Sequence, residues 1–174
     1  MLEPTVRQPA EPYFRCSLFP TFLEADGVRT GRFLLPTFWQ IRSPVRAGVE
    51  GVPRRYDALL VFDGLFHSVL PYTFRQNHRI HTRPLSIPVA PWHGIPCTAG
   101  VADLWLLALD QQTTIHVILS VRLPERSADS DPAYPLIGFE FLRHYEPRLI
   151  LDYATFPHTS IPDSTIPVGH LELV

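Results

Sequence analysis

The chain has 174 residues, 45% of them apolar, and its 15 basic and 17 acidic residues give a formal net charge of -2. This length and apolar content favour one hydrophobic core and a single domain. The charge balance offers no basic surface for nucleic acid or for an anionic membrane, so we expect neither as a partner.

The N-terminal segment and the two cysteines indicate the compartment. Residues 1–14 contain Glu and Pro where a signal peptide needs a positive patch and an unbroken apolar run, and no later stretch reaches membrane-spanning length. Cys16 and Cys97 could in principle pair, but two thiols so far apart without a CxxC spacing fit reduced side chains at least as well. We therefore expect a cytoplasmic protein with no metal site and no cofactor.

In chain order, the sequence predicts short strands and turns. Nineteen prolines argue against long helices, because each removes an amide donor and restricts the residue before it. Apolar, aromatic-rich runs at 13–23 and 32–41 flank a turn at 24–27 and predict an N-terminal hairpin. Further strands are expected at 55–62, 68–70, 101–108, 114–121 and 170–174, with a turn at 110–112. The pattern favours an all-β fold.

Two separated stretches stand out from this pattern. Residues 58–71 (ALLVFDGLFHSVLP) are read as a strand, a sharp turn at Gly64 and a second strand stopped by Pro71. Residues 135–145 (PLIGFEFLRHY) are read as a buried strand, a turn at Gly138 and a short amphipathic helix over 139–145.

Together these stretches resemble the retropepsin-like aspartic peptidases of the bacterial type. In that family an apolar strand enters Asp-Thr/Ser-Gly, continues to a Ser-Val-Leu-Pro-like segment, and is matched later by Leu/Ile-Gly before a helix. The resemblance implies a closed, barrel-like sheet with one short helix near the second motif. It divides the single domain into an extension with a β-hairpin (1–38), a retropepsin-like part (39–156) and an extended proline-rich tail (157–174).

The catalytic triplet departs from the family pattern. Counting back from Ser68 places Gly64 on the family's glycine, Asp63 on its Thr/Ser and Phe62 on its catalytic aspartate. An aspartic peptidase needs two adjacent carboxylates that share a proton. Each chain carries one such turn, so the resemblance implies a homodimer with the two turns on its twofold axis.

Phe62 cannot take or give a proton, so we expect hydrolysis to be lost. Asp63 is the alternative catalytic residue, but successive side chains of an extended chain point to opposite faces, which aims it away from the axis unless the register slips. We favour Asp63 as a turn residue beside Gly64. The leading hypothesis is a catalytically impaired homologue that binds peptides or proteins. The alternatives are an active endopeptidase using Asp63 from two subunits and an unrelated small β-barrel ligand binder.

Three other parts of the sequence are candidates for a functional site: the segment 79–100, the pair His67 and Ser68, and the pair His78 and His81. The proline- and histidine-rich segment 79–100 occupies the position of the family's flap, which implies substrate contacts for Trp92 and Gly94 beside those of Gly64. His67 and Ser68 are adjacent on a strand and point apart, so they do not form a nucleophile and base. His78 and His81 lack further ligands at zinc spacing, and a solvated loop is the favoured interpretation.

Overall fold

A computed structural model describes residues 11–25, 27–43, 51–61, 67–129, 131–138, 140–141, 145, 147–152 and 166–174. It contains one seven-residue helix and ten strands. In chain order these are β1 (Phe14–Ala25), β2 (Val28–Trp39), β3 (Arg54–Leu60), β4 (Ser68–Val69), α1 (Tyr72–His78), β5 (Arg83–Leu85), β6 (Cys97–Leu107), β7 (Thr114–Pro124), β8 (Leu136–Ile137), β9 (Arg148–Leu151) and β10 (Gly169–Leu173). Among the residues with described placement, no helix has the length and apolar character needed to cross a membrane.

Six of the strands close into a barrel. Hydrogen bonding follows the order β6-β7-β4-β8-β3-β2, and β2 pairs with β6 to complete the ring. The barrel is mixed, because β3 with β8 and β4 with β7 run parallel while the other pairs are antiparallel. The predicted all-β class with a closed, barrel-like sheet is therefore confirmed at this level.

The barrel closes because β2 changes its partner along its length. Its first half pairs with β1, whereas Thr37, Phe38 and Trp39 pair with β6 on that side and with β3 on the other. Pro36 has no amide hydrogen and lies at this changeover, where one ladder ends and the next begins. β2 thus spans residues 38 and 39, the predicted boundary between extension and domain.

The remaining strands extend the sheet beyond the barrel. β5 adds to β6, while β1 carries β10 and then β9. The predicted N-terminal hairpin is confirmed: β1 and β2 pair from Phe19 with Leu34 up to Ala25 with Val28, across a two-residue turn that includes Gly27 at φ 73°. Positive φ is the conformation that glycine adopts without strain. The predicted terminal strand is β10.

The main core fills the barrel interior, and a smaller cluster covers one outer face. In β7, alternate residues from Val117 to Leu123 are buried, as expected for a strand with one face inward, whereas β6 is buried along most of its length. The inward set includes Ala102, Leu104, Leu106, Val117, Leu119 and Val121. A second cluster contains Leu34, Leu59, Val69 and Leu136. The residue that follows each of them in the chain belongs to the main core: Leu35, Leu60, Leu70 and Ile137. We call the second cluster the outer cluster.

The helix described in full, α1, follows the first motif, a position that the sequence reasoning did not predict. Pro71 precedes it, and the amide of Arg75 donates to the Pro71 carbonyl at 3.0 Å. Phe74 is buried with its ring edge-on to that of Tyr56 at 5.5 Å between centroids. Of the helix predicted at 139–145, positions 140 and 141 are helical, and the others except 145 lie outside the described residues.

Candidate functional site

The two sequence motifs meet in the barrel wall. β3 and β4, the two strands of the first motif, do not pair with each other, because β8 from the second motif lies between them. β8 runs parallel to β3 and antiparallel to β4. The amide of Leu59 donates to the Pro135 carbonyl at 2.8 Å, and that of Val61 donates to the Ile137 carbonyl at 3.0 Å. Residues 75 or more positions apart are thus hydrogen-bonded neighbours.

A buried side chain joins the motifs a second time. Ser68 is 1% exposed, and its Oγ accepts a hydrogen bond from the amide of Gly138 at 3.0 Å. Both residues belong to the pattern that carried the family resemblance. Because β8 is only two residues long, this bond holds the chain just beyond its last ladder position.

The predicted catalytic triplet itself falls outside the described residues. Phe62, Asp63 and Gly64 lie between Val61 and His67, the last and first described residues on either side. β3 and β4 run antiparallel to each other, so Val61, Gly138 and His67 lie at the same end of the three strands. The catalytic prediction for Asp63 and the binding prediction for Gly64 stay predictions.

A titratable pair lies at this same end. Nδ1 of His67 and Oε2 of Glu140 are 2.7 Å apart, and both side chains are partly buried. The chain therefore brings an imidazole and a carboxylate together beside the segment that carries the triplet, a pair that could hold or transfer a proton. The sequence alone did not predict that these two residues pair. The sequence feature that could have indicated the pair is the position of each residue in its motif. His67 directly precedes Ser68, Glu140 lies two residues after Gly138, and Ser68 and Gly138 are hydrogen-bonded to each other.

The predicted flap residues form a tight turn. The amide of Ile95 donates to the Trp92 carbonyl at 2.9 Å, and the amide of Trp92 donates back at 3.0 Å. His93 and Gly94 between them have φ 47° and 73°. Positive φ at both central positions is typical of a type I′ hairpin turn, for which glycine is favoured at the second. Gly94 is exposed at the tip of this turn.

Trp92 packs against the outer cluster rather than into the barrel interior. The guanidinium of Arg122 lies 5.7 Å from its ring centroid, within cation–π range. Its Nε1 is buried and has no hydrogen-bond partner within the described part of the chain. The described contacts of the Trp92 ring are thus with the outer cluster and with Arg122. The substrate contacts expected for Trp92 and Gly94 stay predictions.

The remaining titratable candidates occupy separate places. His78 packs against the rings of Tyr56 and Phe74, with centroids 4.3 and 4.8 Å away. Where side chains are described, no three His, Cys, Asp or Glu residues lie together as metal ligands. Cys16 is buried, and burial raises the pKa of its thiol to about 12, against the smaller effect of the Leu171 carbonyl. Cys97 is half-buried and also a free thiol.

A second polar cluster lies on the outer face of β5, β6 and β7. Asp103 is buried and accepts from Nη2 of Arg83 and from Nε2 of His116, each at 2.8 Å. The imidazole is stacked on Trp105, with ring centroids 5.0 Å apart. These contacts satisfy the carboxylate and tie three strands together, so we assign the cluster a structural role.

No protein-family model, curated protein or solved structure matches this chain. The resemblance to the retropepsin-like peptidases therefore stays a prediction from the sequence motifs.

Proposed function

We propose that the protein is a retropepsin-like aspartic peptidase homologue that has lost hydrolysis and binds extended peptide segments as a homodimer in the cytoplasm. The observation that carries this proposal is the insertion of β8, from the second motif, between β3 and β4, from the first. The resemblance requires two stretches distant in sequence to meet at one turn, and the Ser68–Gly138 hydrogen bond at 3.0 Å supports that meeting.

The closed barrel agrees with the proposed ancestry. The barrel has six strands of mixed direction, and β8 lies between β3 and β4, which are consecutive in the chain. This order needs long-range connections that a simple meander of hairpins lacks. The proposal assigns the family's catalytic turn to the end of the strands that Val61, Gly138 and His67 share.

The loss of hydrolysis follows from the residue at the catalytic position. Phe62 occupies the place of the aspartate that must exchange a proton with its symmetry mate. Two phenylalanines facing each other across a dimer axis replace a polar, water-holding dyad by an apolar contact. Peptide binding needs only the cleft beside that axis, so it survives this change.

Proteolysis assays test the catalytic half of the proposal. We expect no cleavage of a dye-labelled unfolded protein by the natural chain between about pH 4 and pH 7, and measurable cleavage by Phe62→Asp. Cleavage by the natural chain that Asp63→Asn abolishes would instead establish the active endopeptidase, with one Asp63 from each subunit. The matched control is Asp129→Asn, at an exposed position of the loop after β7.

The oligomeric state tests the binding half. Light scattering at micromolar concentration should give twice the mass of the 19.8 kDa chain. A monomer that also fails to bind a library of extended peptides, measured by fluorescence anisotropy, would favour the unrelated β-barrel ligand binder and refute the dimeric cleft.

A further inference from the structure

A basic pocket lies at the C-terminal end of α1. It has a volume of about 380 Å³. The pocket is formed by the C-terminal part of α1, the turn after it and the chain that follows β2. Its lining comprises Arg42, Ser43, Arg75, Gln76, Arg79, Ile80 and Thr82.

Backbone hydrogen bonds hold the two walls of this pocket together. The amide of Arg42 donates to the Arg79 carbonyl at 2.9 Å, and the amide of His81 donates to the Gln40 carbonyl at 2.9 Å. Ile41 and Ile80, both buried, form the bridge between these bonds. The walls are therefore fixed by the main chain, which is the preorganisation that a binding site needs.

The end of the helix places two of the arginines on one wall. Arg75 lies in the last turn of α1, Arg79 is the C-cap residue that follows the helix, and both line the pocket. Arg79 has φ 51°, the left-handed conformation that ends the helix, and its amide donates to the Arg75 carbonyl. Arg42 faces them from the other wall.

The pocket concentrates positive charge without an internal counter-charge. Three arginines line it, and none of its described lining residues is acidic. Nη2 of Arg75 donates to the Pro124 carbonyl at 2.8 Å, while its buried Nε has no hydrogen-bond partner among residues with described positions. Burial lowers the pKa of Arg75; Tyr72 opposes this, and the charge of Arg42 lowers it further. Neighbouring like charges destabilise one another, and an anion bound between them offsets that repulsion.

We propose that this pocket binds a phosphate group, either as the free ion or as the phosphate of a small monoester. A phosphate monoester carries close to two negative charges and three acceptor oxygens, whereas a carboxylate carries one charge. The planar guanidinium donates two parallel hydrogen bonds to such oxygens. Gln76 and Thr82 add neutral donors. The volume lies at the lower end of small-molecule pockets, which suits a compact ligand.

Isothermal calorimetry with the full chain tests the proposal. The probes are inorganic phosphate, glycerol 3-phosphate, and glycerol as the uncharged control. We expect saturable binding of at least one phosphate probe and none of glycerol. Arg42→Gln and Arg79→Gln change exposed side chains and should each weaken binding by about tenfold, since each removes one charge-assisted contact.

Arg126→Gln is the matched control, since Arg126 is an exposed arginine on the loop after β7 and does not line the pocket. Its affinity should equal that of the natural chain. Binding of both phosphate probes supports a site for the group itself, and binding of inorganic phosphate alone assigns the site to the free ion. Absence of binding by both phosphate probes at millimolar concentration overturns the proposal. An equal loss in all three variants would show unspecific charge attraction and overturns it as well.

Discussion

Replacing Ser68 by alanine tests the contact that joins the two motifs. Ser68 is 1% exposed, and its Oγ is the acceptor for the amide of Gly138. Removing the hydroxyl leaves a buried backbone N–H without its acceptor, which costs about 1–3 kcal/mol, with the desolvation of the amide as the main part. We take about 2 kcal/mol as the expected loss in the free energy of unfolding, because the geometry at 3.0 Å is ordinary and both partners belong to the described barrel wall.

A loss of that size should be plain in thermal unfolding. For a domain of 174 residues, 1 kcal/mol lowers Tm by about 2–4 °C, so Ser68→Ala should lower it by about 4–8 °C. The control is Ser127→Ala on an exposed loop, which should change stability by less than about 0.5 kcal/mol.

Hydrogen exchange gives a local readout of the same bond. The Gly138 amide should exchange slowly in the natural chain and markedly faster in Ser68→Ala. If the variant loses less than about 0.5 kcal/mol and Gly138 stays equally protected, the hydroxyl is not the acceptor, and the two motifs are joined through the strand ladder alone.

A close glycine contact, the partly buried carboxylate of Asp57 and the two thiols each give a further test. Gly169→Ala would press a Cβ onto the backbone of β9 and should lower the free energy of unfolding, measured in urea, by about 2–3 kcal/mol. The control Gly31→Ala meets only ordinary contacts and should change that free energy little. Equal effects of the two variants would contradict this reasoning. Burial raises the pKa of Asp57, so its charged form destabilises the fold as pH rises through that raised pKa. Asp57→Asn should therefore stabilise the protein at pH 7, with a gain that vanishes near pH 3; a loss at pH 7 would refute it. At about pH 8 a maleimide should label Cys97 and leave Cys16 unmodified until the protein unfolds, because burial raises the Cys16 pKa to about 12. Mass spectrometry would follow the labelling. Equal labelling rates of the two thiols would count against the burial of Cys16.

Local signals in the sequence were sufficient for the long hairpins. The turn at 24–27 and the turn at 110–112 each separate two runs of apolar and β-branched residues, and the structure pairs those runs as β1 with β2 and as β6 with β7. Strand period and turn chemistry are both local properties, so one sequence is enough to predict them. The all-β class followed from several such strands in a chain that proline keeps from forming long helices, whereas the closed barrel was what the family resemblance implied.

Non-local features were beyond that reasoning. α1 has seven residues and one buried side chain, Phe74, so it carries too little periodicity to be distinguished from a loop. β4 and β8 have two residues each and exist as strands only because other strands flank them. The basic pocket brings Arg42 against Arg79, which no local pattern can indicate. The pairing of His67 with Glu140 is of the same kind.

The hydrogen bonds of the described strands next to residues 62–66 are compatible with the proposed loss of a catalytic carboxylate. The strands on either side are held by main-chain bonds from Leu59 and Val61 to the segment around β8, and by the Ser68 hydroxyl. None of these bonds uses the side chain at position 62. A buried, mutually repelling carboxylate dyad destabilises a dimer unless it holds a shared proton, whereas an aromatic pair adds apolar contact. Under the proposed ancestry, Phe62 in place of the aspartate removes an electrostatic cost while leaving the backbone bonds intact, and Phe62→Asp should weaken the proposed dimer at neutral pH more than at acid pH.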